Sequence, residues 1–209
     1  MFREQLWRLE NWLFSRGLVA LVVEGLSGHI AQMMRLSQLD MAILFSRDAA
    51  PDLPSEALLE EDLFLMLPRE SALLPARRRQ VTCEEIAQLP LILPTSIHGL
   101  RRRIAHEFEQ RNLPLQVVAE IDSLSLLMLC VKDGLGVTIK PMSAVMMEDR
   151  WREEMRCLPI ADAHLRRPNY LFSTEAERMS PAALAVHETL RQTVRDLVEG
   201  KAWQGVTLL

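Results

Sequence analysis

Cysteine is sparse and carries no pairing pattern. The chain has three, Cys83, Cys130 and Cys157, far apart and odd in number. That excludes a disulfide framework, offers no zinc-ligand spacing, and points to a reducing cytoplasm. Basic charge is not in excess: 24 Lys and Arg against 28 Asp and Glu leave a net charge of −4. A free-standing DNA binder is usually basic, so this chain is not expected to grip nucleic acid by itself. No apolar run approaches the roughly 20 residues that cross a bilayer. No signal peptide is expected, because Met1-Phe2-Arg3-Glu4 opens a charged amphipathic stretch. Internal repeats and low-complexity segments are lacking too.

Enzyme motifs fail on inspection. Gly25-Leu26-Ser27-Gly28-His29 is not Gly-x-Ser-x-Gly. His106-Glu107 and His187-Glu188 each lack the second histidine of a zinc motif. Gly134-Leu135-Gly136 lacks the third glycine of a dinucleotide fingerprint and follows a helix where that fingerprint follows a strand. No catalytic residue, metal ligand or cofactor is expected.

What is present is a chain of 209 residues, 49% of them apolar, enough for one large domain or two small ones. Residues 116–141 are the most informative. Val117, Val118 and Ile121 form a short β-branched run. Asp122 or Ser123 can cap the following helix, since either side chain can accept an orphan N–H of its first turn. Leu124 to Val131 is apolar nearly all round, as in a buried helix. Gly134 and Gly136 turn the chain into the strand Val137-Thr138-Ile139. Strand–helix–strand order implies parallel strands and an α/β fold, in which ligands bind beyond the carboxyl ends of strands.

The rest of the chain fits that class. A helix is expected over residues 3–14, with Leu6, Leu9 and Leu13 on one face and Trp7 and Phe14 on another. Residues 18–23 read as a strand, Gly25–Gly28 as a turn leading into a helix to about Leu36, and Met41–Phe45 as a buried strand. Leu58–Leu67 is extended and stops at Pro68. Thr82 and Glu85 resemble a capping box. Leu91–Leu93 is a strand, and Gly99–Arg111 a helix with Leu100, Ile104 and Phe108 on one face. A helix over Met142–Trp151 and strands over Met155–Ile160 and Arg166–Phe172 follow. Pro181–Glu199 is a long helix with Ser180 as cap and Pro181 at its first position.

Four segments carry a family resemblance in matching order: Val22-Val23-Glu24-Gly25-Leu26-Ser27-Gly28, Gln38-Leu39-Asp40-Met41-Ala42-Ile43, Leu91-Ile92-Leu93-Pro94-Thr95-Ser96, and Glu120-Ile121-Asp122-Ser123-Leu124 with Gly134-Leu135-Gly136-Val137 and Pro141. Together they resemble the effector-binding half of LysR-type transcriptional regulators over roughly residues 2–200. Glu56–Leu65 and Trp203-Gln204 look closest to the nitrogen assimilation control branch. The resemblance implies two Rossmann-like lobes joined by two crossover strands, as in type II periplasmic binding proteins. Residues 1–67 with 168–209 would form lobe I, and 68–167 lobe II. The family's N-terminal helix-turn-helix is absent from this chain, so DNA would be reached only through that missing part. The chain is expected to be an excised fragment or a shortened product.

The same resemblance implies a small organic anion, a carboxylate among the candidates, as effector in a cleft between lobes. Ser27, Gly28 and His29 sit at a helix start, where unpaired N–H groups favour an anion. Thr95, Ser96 and His98 precede another helix and offer hydroxyls and a titratable ring. Thr138 would be one wall of the cleft. The bland alternative is that Ser27 and Ser96 only cap helices and Thr138 is an ordinary strand residue. Arg101-Arg102-Arg103 reads as a solvated helix face with one residue reaching inward. Trp7 and Phe14 are candidate interface residues of a homodimer or tetramer. A solute-binding protein for transport, or a small cytoplasmic enzyme, is the alternative function.

Overall fold

The computed structural model of the chain describes residues 21–209 except Glu24, Leu26, Met147 and Glu148. The expected helix over 3–14, with Trp7 and Phe14, lies outside the described residues, as does the expected strand up to residue 20. Residues 21–23 carry no strand, and Leu21 and Val22 are exposed.

The chain divides into two compact units, one of Asp62–Arg167 and the other of the described residues up to Glu61 with Pro168–Leu209. Both changeovers fall inside strands. The first is in β2 (Ser55–Pro68), ahead of Pro68, and the second is near the start of β7 (Arg166–Ser173).

In the unit of Asp62–Arg167, β2 pairs antiparallel with β5 (Thr138–Pro141) and with β6 (Met155–Pro159). Strand β3 (Leu91–Leu93) pairs parallel with β4 (Val117–Glu120). It also bridges Val137, parallel, at the head of β5. The strand–helix–strand of residues 116–141 therefore places β4 and β5 on either side of β3, all three parallel. Successive side chains on a strand point to opposite faces, and both faces here are apolar. Leu63, Leu65 and Leu67 of β2, Leu91 and Leu93 of β3, and Val137 and Ile139 of β5 share one core. Helices α2 (Cys83–Ile86) and α3 (Gly99–Gln110) cover it through Cys83, Ile86, Ile104 and Phe108. Met66 and Ile92 enter the opposite core, covered by α4 (Leu124–Lys132), α5 (Ser143–Met146) and α6 (Asp149–Glu154). A sheet buried on both sides explains why these strands are near-continuous apolar runs.

In the other unit, β1 (Met41–Leu44) pairs antiparallel with β7, and β8 (Val206–Leu208) with Leu59–Glu61 of β2. Helix α1 (Ser27–Arg35) packs Ile30, Ala31 and Met34 on Ala42, Leu44 and Phe172. Helix α7 (Pro181–Glu199) packs Val194 on Leu58, Leu59 and Leu171. Glu61 is buried here, where its carboxylate accepts from Asn169 Nδ2 at 3.1 Å.

Local chemistry set several boundaries. Thr82 Oγ1 accepts from Glu85 N–H while the Glu85 carboxylate accepts from Thr82 N–H, a complete capping box. Ser180 caps α7, with Pro181 at its start. Three expectations are corrected. Helix α4 is not buried all round, since Leu126 and Leu129 are 50% and 47% exposed. Strand β1 alternates, with Ile43 facing out, because only one of its faces meets α1. Met142–Trp151 contains two short helices, α5 and the start of α6.

Candidate functional site

The carboxyl ends of three parallel strands supply the chemistry of the larger unit. Strand β3 ends at Leu93 and leads to Thr95. Strand β4 ends at Glu120 and leads to Asp122. Lys140 is the last residue but one of β5. Thr95 and Asp122 meet. Thr95 N–H donates to Asp122 Oδ1 at 2.9 Å, and Thr95 Oγ1 lies 3.0 and 3.1 Å from the two carboxylate oxygens. His98 Nε2 lies 3.1 Å from Oδ1. The backbone N–H of Thr95, then its hydroxyl and the His98 ring, hold the Asp122 carboxyl below its ordinary range. The loop is tightened by His98 N–H donating to Thr95 O at 3.2 Å.

Ser123, the neighbour of Asp122, caps α4 by accepting from Leu126 N–H at 3.4 Å. The two candidate caps thus divide: Ser123 serves the helix and Asp122 serves the loop. Ser96 is a turn residue and caps nothing, because the residue at the N-cap of α3 is His98, which makes no side-chain cap bond. The first N–H groups of α3 therefore lack that satisfaction. Thr138 is fully buried, and its hydroxyl has no hydrogen-bond partner among the described residues. It alternates with Val137 and Ile139 and so shares the face of Lys140, towards Met66 and α4.

Lys140 was not expected from the sequence, and Asp122, expected to cap or pair, has Thr95 and His98 as partners that the sequence did not indicate. Burial, then the Arg167 charge, depresses the Lys140 ammonium to about 8, against the partial support of Asp122. The available signal was a lysine at an inward position of an apolar strand. Of the Arg101–Arg103 run, Arg102 and Arg103 are exposed, while Arg101 Nε is buried.

Ser27, Gly28 and His29 belong to the other unit, in the first turn of α1. Gly28 and His29 are exposed, and a Cβ on Gly28 would meet nothing within 4 Å. Among the described residues, nothing around them requires glycine or buries the ring. Burial pushes the Cys83 and Cys157 thiols up to about 12, which makes them poor nucleophiles. Among the described residues no cluster of His, Cys, Asp or Glu could hold a metal ion, and no helix is long and apolar enough to cross a membrane.

Comparison with known proteins identifies the family. The family profile described as the LysR substrate binding domain matches residues 17–195. The chain belongs to the LysR substrate-binding domain family. This LysR domain is 29% identical over 176 residues to the nitrogen assimilation regulatory protein nac of Escherichia coli K12, covering 81% of the chain and 54% of that protein. It is 34% identical over 107 residues to nac of Klebsiella aerogenes, covering 51% of the chain and 33% of that protein. The chain therefore spans about half or less of the length of these relatives. Among solved structures, the effector-binding domain of QuiR in complex with shikimate superposes with a TM-score of 0.76 at 17% identity, over 94% of this chain and 91% of that one. The regulatory domain of CcmR from Synechocystis PCC6803 in complex with 2-PG superposes at 0.79 and 16% identity, over 93% of each. The LysR domain thus has the type II periplasmic-binding-protein-like fold.

Proposed function

We propose that this LysR domain is the sensing part of a transcription factor and that its effector is a small organic anion, with a carboxylate as the group it recognises. It acts by binding and not by turnover, in the cytoplasm. The observation that carries the reading is the 95–98 loop. It already holds a carboxylate, that of Asp122, by one backbone N–H and the Thr95 hydroxyl, with the His98 ring at 3.1 Å. Its place beyond the carboxyl ends of parallel strands is where α/β sheets bind ligands. The cationic Lys140 is close enough to interact with Asp122. Thr138 adds a buried hydroxyl on the Lys140 face. QuiR, a fold relative, binds shikimate, itself a carboxylate.

Thr95, Ser96, His98 and Thr138 are the proposed contacts in this unit, and Ser27, Gly28 and His29 are proposed separately for the other unit. Effector binding shifts a conformational equilibrium by its differential affinity for two states. A DNA-binding portion reads that shift. A homodimer or tetramer belongs to the same reading, with exposed Leu126 and Leu129 on α4 as available apolar surface. The test is a thermal-shift screen over small carboxylates, repeated on Ser27→Ala, Ser96→Ala and Thr95→Val. Each substitution is expected to reduce the shift given by a stabilising carboxylate. An unchanged shift in all three variants would remove these residues from the site.

A further inference from the structure

The donors that make the 95–98 loop fit for a carboxylate are in use. Thr95 N–H and Thr95 Oγ1 both engage Asp122, and His98 Nε2 stands 3.1 Å from the same carboxylate. Asp122 does not need this arrangement to start α4, because Ser123 caps that helix. Nor is it locked in by burial, its side chain being 36% exposed.

We propose that Asp122 is a tethered occupant of the effector loop, and that an incoming carboxylate binds by taking its place. This rests on the reading of residues 95–98 as an effector loop. The consequences are physical. A group fixed to the same chain competes at an effective concentration on the order of millimolar or higher, so a ligand gripped by a single carboxylate meets a large handicap. Selectivity then favours a ligand whose remaining groups find contacts elsewhere. Displacement adds a negative charge beside Lys140 and Arg167, the cations that already sense one another across this region. It also frees the residue next to the α4 cap, so occupancy of the loop is felt at the first turn of a helix whose Leu126 and Leu129 face outward.

The experiment titrates the 209-residue chain with sodium acetate against sodium chloride of equal ionic strength, reading thermal stability. Asp122→Ala vacates the loop, Asp122→Asn keeps the shape without the charge, and Thr95→Val in the Asp122→Ala background removes the hydroxyl donor. Asp122→Ala is expected to be stabilised by acetate with at least tenfold tighter apparent affinity than wild type, and the Thr95→Val addition to erase most of that gain. A cooperatively melting Asp122→Ala with no more acetate response than wild type overturns the inference, as does a response that survives Thr95→Val. If Asp122→Ala does not fold, Asp122→Gly, which also vacates the loop, decides by the same comparison with wild type. A wild type that binds no carboxylate in the screen, beside an Asp122→Ala that takes acetate through Thr95, keeps the inference and removes the proposed effector class. A wild type whose carboxylate affinity is unchanged by Asp122→Ala keeps the effector class and removes the inference.

Discussion

Replacing Lys140 by methionine isolates the cost of a charge held against an apolar sheet. Lysine ordinarily titrates near 10.5 and Lys140 is depressed to about 8, chiefly by burial and then by Arg167. The gap is about 2.5 pH units, and at about 1.4 kcal/mol per unit it amounts to roughly 3 kcal/mol of destabilisation carried by the charged form. The direction follows from proton binding. Between pH 8 and 10.5 the unfolded chain holds the proton more tightly than the folded one, so stability conferred at this site rises with pH across that window. Below pH 8 both states are protonated and the full penalty applies. Lys140→Met preserves the length of the stem and removes the charge. It is expected to be more stable than wild type at pH 7, by up to about 3 kcal/mol, with the difference shrinking towards pH 10.5. Urea unfolding of both proteins at pH 7, 9 and 10 measures this, and other groups that titrate in the window cancel in the comparison. A difference that is constant with pH, or a methionine variant less stable at pH 7, would refute the reasoning.

Three further substitutions probe the fold. A Cβ on Gly136 would stand 2.7 Å from Pro90 O and 2.9 Å from Ile92 Cγ1, and Pro90 O is the acceptor of Val137 N–H at 2.8 Å. Gly136→Ala is therefore expected to cost about 1–3 kcal/mol in thermal denaturation, whereas Gly99→Ala, with nothing within 4 Å, is expected to be neutral or slightly stabilising. Thr82→Ala removes one half of the capping box and is expected to lower stability by about 1 kcal/mol in urea unfolding, with m unchanged.

Elements whose signal is local were legible in the sequence. Ser180 and Pro181 opened α7 as expected, Thr82 and Glu85 formed their box, and the apolar run ending at Pro68 became β2. The parallel arrangement of residues 116–141 followed from strand–helix–strand order. What was hidden depends on distant partners. Asp122 and Ser123 are equally good caps on paper, and only the approach of Thr95, 27 residues away, separates them. Leu126 and Leu129 look like core from composition, because apolar residues also occupy exposed faces. Ser96 resembles a cap on paper, but α3 starts at Gly99 as expected and the residue at its N-cap is His98. The Thr95–Asp122 cluster was therefore only partly legible: the loop puts Thr95 and His98 forward as candidates, Asp122 reads as a cap or a structural partner without its partners, and Lys140 is not singled out.

Strand β2 has a consequence for how the chain emerges from the ribosome. Leu63–Met66 pair with residues of β5, and Leu59–Glu61 pair with β8. The first of these partners is made about 70 residues later, or roughly 4–14 s at 5–20 residues per second. The last is at the very end of the sequence. Throughout that interval Leu63-Phe64-Leu65-Met66-Leu67 is an apolar, β-prone segment without its native neighbours. Such segments are the ones that recruit foreign strands. Nascent chains arrested between residues 70 and 135 are therefore expected to recruit chaperones more than chains that have completed β5.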